Sequence, residues 1–177
     1  MIVSRFVAGL VFPGLVVSGL ALTLAFATTP VRAQDALVTY KSLSPDVALD
    51  LARAALTECG KRGYQAAVAV VDRFGVTQVM LRDRFAGAHT PSTATGKAWT
   101  AASFRSSTAE LVAMTQPGTP QAGIRNLPGV VIVAGGVMIE ASGATVGAVG
   151  VSGAPGGDAD EACAKAGIEA VRDKLDF

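Results

Sequence analysis

The chain has 177 residues and is nearly neutral, with 15 Lys and Arg residues against 14 Asp and Glu residues and a formal charge of +1. No basic run concentrates that charge, so electrostatics give no basis for a nucleic-acid partner. The single histidine excludes a metal site built from several imidazoles, and two cysteines are too few for a disulfide-rich framework.

The first 33 residues have the layout of a secretory signal peptide. Arg5 precedes a predominantly apolar run, Phe6–Ala27, and the small residues Val31 and Ala33 stand where cleavage is expected. Cleavage near Ala33 leaves residues 34–177, with 13 basic against 14 acidic residues, because two arginines lie in the leader. An uncleaved membrane anchor stays open as an alternative, since the run approaches the roughly 20 residues that span a bilayer. We expect a periplasmic or secreted protein.

The tripeptide Ser44-Pro45-Asp46 is typical of a helix start, with Ser44 as N-cap and an acidic residue in the first turn. Apolar residues at positions 48, 51, 52, 55 and 59 then recur at helical spacing. Either Gly60 or Gly63 supplies a helix end. The pattern predicts one helix with an alanine-rich inner face.

Two strands are predicted next, Ala66–Val71 and Val76–Leu81. The tetrapeptide between them, residues 72–75, has the composition of a hairpin turn. Asp72 is expected to accept hydrogen bonds from amides of that turn, which is the usual role of an aspartate there.

A second helix is predicted to start at Thr90 or Ser92, either of which can serve as N-cap. Small residues spaced by three or four form its inner face, and Lys97 borders that face. A short helix over Thr108–Met114 follows, and residues 116–126 form a loop because they contain two prolines and two glycines without periodicity.

Three apolar runs then predict a three-stranded antiparallel meander: Val130–Ala134, Val137–Glu140 and Thr145–Val151. Glycine-bearing dipeptides lie between them, as hairpin turns require. Glycines within and after the third run recur at every third position, a spacing that matches neither face of a strand. Some of them are therefore expected to mark a bulge, or the close approach of a backbone or a ligand: Gly147, Gly150 and Gly153.

The last helix is predicted to start at Asp158, with Glu161 completing a capping-box-like pattern. Its expected inner stripe comprises Cys163, Ala166, Ala170, Val171 and Leu175. Together the elements predict one α+β domain over residues 34–177, with an antiparallel sheet of about five strands covered by helices in the order α-β-β-α-(α)-β-β-β-α.

The two cysteines, Cys59 and Cys163, each lie on the apolar stripe of a predicted helix. An oxidising compartment would permit a disulfide between them, and two separate buried thiols explain the pattern equally well. Both interpretations stay open at the level of sequence.

Common catalytic motifs are absent. Gly96-Lys97 lacks the first glycine and the Ser/Thr of a phosphate-binding loop, and Gly147, Gly150 and Gly153 lack the opening of a dinucleotide fingerprint. No G-x-S-x-G elbow is present. His89, before the second helix, remains as a single imidazole that is either a solvated loop residue or a ligand.

Five stretches together resemble the HbpS/GlcG-like family of secreted haem-binding and glycolate-operon proteins, which also occurs as the C-terminal domain of some cobalamin adenosyltransferases. They are AVAVVDRFG (67–75), AGAHT (86–90), GKAWTAASF (96–104), LPGVVIVAGGVMI (127–139) and GAVGVSGAPGGDADEACAKAG (147–167). The resemblance implies a compact domain around an antiparallel sheet, assembly into homo-oligomers, and haem binding linked to redox-stress sensing or haem degradation. A sensor protein of the cell envelope is an implied partner. An enzyme or accessory protein for a small organic acid, as in glycolate metabolism, is the alternative.

The resemblance also implies site residues. His89 corresponds to an axial haem ligand and metal-binding residue, Thr90 to a neighbour that orients its ring, and Lys97 and Arg105 to partners of the haem propionates. Arg84-Phe85 departs from the smaller pair expected in the family, which bears on pocket shape. The alternative iron ligands are Met80, Met114, Met138 and Tyr64.

Overall fold

The structure, a computed structural model, describes residues 36–175. The predicted leader, residues 1–33, lies outside the described residues. From Thr39 onward the chain forms one compact unit. Within the described range, no helix combines the length and apolar character needed to cross a bilayer.

Residues 36–175 form four α-helices and four strands, in the order α-β-β-α-α-β-β-α. Helices α1, α2, α3 and α4 are Pro45–Lys61, Thr90–Phe104, Thr108–Met114 and Gly157–Glu169. Strands β1, β2, β3 and β4 are Ala67–Asp72, Thr77–Arg82, Gly136–Ala141 and Ala144–Ser152, and short 3-10 helices cover Ala122–Asn126 and Arg172–Lys174. All pairings are antiparallel, in the order β2-β1-β4-β3, which confirms the α+β prediction.

Several predicted ends are confirmed by their hydrogen bonds. Ser44 Oγ accepts from the Val47 amide at 3.3 Å and caps α1, while Asp72 Oδ1 accepts from the amides of Phe74 and Val76 at 2.8 and 2.9 Å. Asp72 therefore fixes the β1–β2 hairpin as expected.

The loop predicted over residues 116–126 is only partly irregular, because its end, Ala122–Asn126, forms a short 3-10 helix.

The sheet separates two layers of helix because successive side chains of a strand point to opposite faces. Val68 and Val70 of β1 pack with α1 and α4 on one face, in a core that also contains Leu51 and Cys163. On the other face alanines of β1, β4 and α2 form a second cluster: Ala67, Ala69, Ala94, Ala98, Ala101, Ala102 and Ala148. Small side chains on both sides bring α2 close to the sheet.

The prediction that Val130–Ala134 forms the first strand of a meander is wrong. Residues 130–134 are irregular, and in the part of the chain that the structure describes the sheet has four strands instead of about five. The Val131 amide donates to the Thr100 hydroxyl at 2.9 Å, and a Cβ placed on Gly96 would lie 2.4 Å from Val131 Cγ2. This segment lies over α2, so its branched residues reflect packing on a helix and not pairing in the sheet.

The three glycines that follow at every third position all mark close backbone approaches, as expected. A Cβ on Gly147 would lie 2.4 Å from the Val71 carbonyl oxygen, and one on Gly150 would lie 2.0 Å from that of Ala94. Gly153 has a φ of +135° and would place a Cβ 2.4 Å from the Gln65 carbonyl oxygen. Gly150 in particular lets α2 touch the sheet backbone.

Cys59 on α1 and Cys163 on α4 form a disulfide with a Cα separation of 5.5 Å. Both residues are fully buried, and the bond between them confirms the disulfide interpretation, so the alternative of two separate buried thiols is wrong. The predicted stripe of α4 needs one correction, because the helix ends at Glu169 and Ala170 is exposed. The inner positions are Asp160, Cys163, Ala164 and Gly167.

Candidate functional site

His89 occupies the N-cap position of α2 and its side chain is exposed. Its carbonyl oxygen accepts from the hydroxyls of Ser92 and Thr93, each at 2.9 Å, so the backbone is fixed while the ring faces outward. The ring lies against Gly87, where an added Cβ would approach its Cε1 to 2.9 Å. The imidazole makes no hydrogen bond with any residue between 36 and 175.

The predicted cap of α2 is wrong. Neither Thr90 nor Ser92 caps the helix, because α2 begins at Thr90 and its N-cap has no side-chain hydrogen bond. The buried Thr90 hydroxyl instead donates to the Gly87 carbonyl at 2.8 Å. Thr90 thereby holds the loop that carries His89, without bonding the imidazole itself.

A pocket of about 460 Å³ opens beside His89. Its wall on α2 consists of His89, Thr90, Thr93 and Lys97, whose spacing of one, four and eight residues places them on one helix face. The opposite wall is the β4–α4 connection, Gly153–Gly157, which ends in the first turn of α4. Gly156 is the N-cap of α4 and provides no side-chain cap, so backbone amides of that turn border the pocket.

Lys97 lies at the inner end of this pocket and is 1% exposed. Its Nζ donates to Asp160 Oδ2 at 2.7 Å and to the Val151 carbonyl oxygen at 2.9 Å. Asp160 Oδ1 accepts from the Ala154 amide at 2.9 Å. One buried ion pair therefore joins α2, α4, β4 and the connection that forms the pocket wall.

Sequence reasoning missed Asp160, whose neighbours Asp158 and Glu161 were chosen as helix-start residues. Asp160 precedes Cys163, Ala164 and Gly167 by three, four and seven positions, which puts it on the buried stripe of α4. A carboxylate on an apolar stripe requires a partner because an unpaired buried charge is costly. A carboxylate on the apolar stripe of α4 is therefore the sequence signal that indicates a buried ion pair.

Arg105 is separated from the other predicted site residues. It is the exposed C-cap of α2, in the left-handed region at φ 51°, and so lies at the opposite end of the helix from His89. Sixteen residues of helix span about 24 Å at 1.5 Å per residue. The structure brings together His89, Thr90 and Lys97, but not Arg105.

The alternative iron ligands are distributed elsewhere. Met80 lines an apolar groove of about 750 Å³ with Trp99 and Val131, Met114 is exposed on α3, and Met138 lies on β3. Tyr64 packs partly against the core on the α1 side. Neither Arg84 nor Phe85 lines the pocket beside His89, where the family departure was expected to matter. Among residues 36–175, no three His, Cys, Asp or Glu side chains gather to hold a metal ion.

Known proteins of one family are similar to this chain in sequence and in fold. Residues 43–169 match the family model described as haem degrading protein HbpS-like, which is more than half of the sequence. No curated protein matches significantly. A double mutant of HbpS from Streptomyces reticuli is 37% identical with a TM-score of 0.73, covering 83% of this chain and 98% of that one.

Two further solved structures are also similar to this chain in sequence and fold. A crystal structure of HbpS is 38% identical with a TM-score of 0.72, over 76% of this chain and 94% of that chain. A complex of PduOC with haem is 29% identical with a TM-score of 0.68, over 73% and 94% of the two chains. The chain belongs to the HbpS-like family.

Proposed function

We propose that this protein binds haem at the pocket beside His89, with the neutral imidazole of His89 as an axial ligand of the iron. The observation that carries the proposal is the exposed ring of His89 at the wall of a pocket of about 460 Å³, on a backbone held in place by α2. Imidazole nitrogen is a common protein ligand of haem iron. Family membership and the haem complex of the PduOC relative support haem binding.

The roles of the neighbouring residues follow from their contacts. Thr90 fixes the loop through Gly87, and Lys97 keeps one ammonium proton beyond the two that Asp160 and Val151 accept within the described chain. We assign that proton to a haem propionate at the inner end of the pocket. Arg105 would have to come from a second copy to reach this haem, as the proposed homo-oligomer allows.

The cellular setting is part of the proposal. We place the protein in the periplasm or outside the cell after cleavage near Ala33, where it would sequester, sense or degrade haem. An envelope sensor protein is the proposed partner for a sensing role. The leader pattern supports this setting.

The test is a haemin titration of residues 34–177 and of the His89→Ala variant, recorded at the Soret band. A saturable shift that is lost in the variant supports haem binding with His89 as ligand. A shift retained in His89→Ala but lost in a Met80→Leu control would move the iron to the apolar groove. Failure of the parent chain to shift the band at all would reject the function.

A second candidate is binding of a small organic acid in the same pocket. The observation that favours it is the uncapped first turn of α4 beside the buried Lys97 ammonium group, since amide N–H groups and a cation both suit a carboxylate. Thermal shift with glycolate, using glycolamide as the uncharged control, tests it. Stabilisation by glycolate alone, without a Soret shift in the haemin titration, would favour this candidate over haem.

A further inference from the structure

An exposed cluster of aromatic and cationic side chains lies at the β1–β2 hairpin, outside the pocket beside His89. Tyr40, Phe74 and Val76 are 52, 60 and 63% exposed. The rings of Tyr40 and Phe74 meet edge to face with centroids 4.9 Å apart, and Arg73 lies 5.4 and 5.8 Å from their centroids. We call these four residues the aromatic patch.

The aromatic patch is held in shape before any partner arrives. Asp72 Oδ1 accepts from the amides of Phe74 and Val76, and the Gly75 amide donates to the Asp72 carbonyl at 3.0 Å. Large apolar side chains fixed on a hairpin tip lose little conformational freedom on binding. Exposing three large apolar side chains to water does not stabilise the isolated fold. We therefore interpret the patch as a contact surface for a partner.

Charge around the patch favours an anionic partner. Tyr40 also lines a neighbouring pocket of about 720 Å³ whose apolar walls include Val47 and Val146, and Lys41 and Lys174 line it too. Lys174 is paired with Asp50, but that pair is half exposed and therefore weak. Arg73 lies at the rings of the patch, and Lys41 and Lys174 line the pocket that shares Tyr40 with it. The acidic neighbours are Asp72, which is bonded to hairpin amides, and Asp50, which is paired with Lys174.

The sequence before the domain identifies which anionic partner is in reach. The apolar run Phe6–Ala27 precedes Thr39 by only the residues 28–38, which span at most roughly 40 Å when fully extended. Before cleavage near Ala33, or in the uncleaved alternative, a bilayer that holds this run lies within reach of Tyr40. Tyrosine and arginine side chains suit the interface between headgroups and acyl chains.

We propose that the aromatic patch binds the surface of an anionic lipid bilayer, with Phe74 and Tyr40 at the acyl boundary and Arg73 among the phosphates. This surface is separate from the haem pocket, so the proposal does not depend on haem binding. Haem titrations are expected to be unchanged by substitutions in the patch.

The test is flotation of residues 34–177, which include the whole compact unit, with vesicles of phosphatidylcholine containing 30% phosphatidylglycerol. Phe74→Ser is expected to reduce the bound fraction about tenfold, because it removes the aromatic ring that is proposed to enter the acyl boundary. Arg73→Gln is expected to reduce binding severalfold on these vesicles and not on pure phosphatidylcholine. Phe85→Ser is the matched control, because Phe85 is 65% exposed and lies 4.6 Å from the Arg84 guanidinium on another loop.

Equal melting temperatures of the two serine variants would confirm that both remain folded. The proposal is overturned if the parent chain does not float with anionic vesicles, or if Phe74→Ser and Phe85→Ser bind as well as the parent. The other possible occupant of the patch is a second copy of the chain, and sedimentation velocity measures such self-association. If the parent self-associates and Phe74→Ser abolishes this, the patch is assigned to the second copy instead.

Discussion

Lys97 Nζ lies 2.7 Å from Asp160 Oδ2, and the side chains of this ion pair are only 1% and 5% exposed. The pair spans 63 positions in sequence and joins the wall of the pocket on α2 to the wall on α4. Its integrity therefore determines both stability and pocket shape.

Removing one partner of this pair is expected to lower the free energy of unfolding by about 3–5 kcal/mol, because a buried charge is left unpaired. Lys97→Met and Asp160→Leu, measured separately by urea denaturation, test the expectation. The double variant is expected to be more stable than the sum of the single losses predicts.

A surface pair supplies the control for that measurement. Lys174 bonds Asp50 at 2.7 Å, and their side chains are 52% and 45% exposed. Lys174→Met is expected to leave the free energy of unfolding nearly unchanged, because exposed ion pairs contribute little. Equal losses for Lys97→Met and Lys174→Met would contradict the structural account of the buried pair.

The disulfide is expected to make a large contribution to stability. It closes a loop with a sequence separation of 104 residues, for which chain entropy predicts about 4–5 kcal/mol. The Cys59→Ala/Cys163→Ala variant should show that loss in urea, and thiol titration of the unfolded parent should find no free thiol before reduction. Two titratable thiols in the non-reduced parent would disprove the bond.

Gly150→Ala is expected to destabilise the fold by about 3 kcal/mol or more, because its Cβ would collide with the Ala94 carbonyl oxygen and the Ala98 amide nitrogen. Gly60→Ala is the control, since nothing lies within 4 Å of a Cβ there and the position is helical. That variant should gain roughly 0.5–1 kcal/mol. Thermal unfolding of the two variants compares the effects, and a Gly150→Ala protein as stable as the parent would refute the close approach.

The start of α3 is expected to weaken in acid. The Ser106 hydroxyl and the Ser107 amide donate to Glu110, at 2.6 and 3.0 Å, and hold the pKa of its carboxyl below the usual 4.5. A lowered folded-state pKa means that this contribution is present above pH 4.5 and is lost as the pH falls through the folded value.

The Glu110→Gln variant tests this sign. Because Glu110 is exposed, we expect only a few tenths of a kcal/mol between parent and variant at pH 7. The difference should shrink towards zero as the pH falls through the folded-state pKa of Glu110, because the parent carboxyl is then protonated and resembles an amide. A difference that grows in acid would show that the pKa is raised and not lowered.

Local chemistry made much of the fold predictable. Ser44-Pro45 marked the start of α1, Asp72 marked the hairpin, and glycine spacing marked the close approach at Gly150. The same reasoning misplaced Val130–Ala134, because β-branched residues indicate burial without showing what covers them. Val131 packs on α2 and bonds Thr100, a contact that no local pattern encodes.

The candidate site was less predictable because it depends on distant residues. Lys97 looked like the border of a helix face, whereas its partner Asp160 lies on another helix. Arg105 shared a helix with His89 and was grouped with it, although helix length alone separates them. Which face of a helix meets a pocket depends on tertiary packing, and this chain shows that dependence at both residues.

The sheet order β2-β1-β4-β3 has a consequence for how the chain reaches its native state. Each hairpin, β1–β2 and β3–β4, closes over a short stretch of chain, but the central pair must bring together segments about 80 residues apart, from Ala67 with Ser152 to Asp72 with Gly147. Closing so long a loop is slow. Because the sulfurs of Cys59 and Cys163 lie on helices that pack over this central pair, oxidation depends on the same late step. An unfolded chain would stay reduced, and open to proteolysis, until its two halves meet.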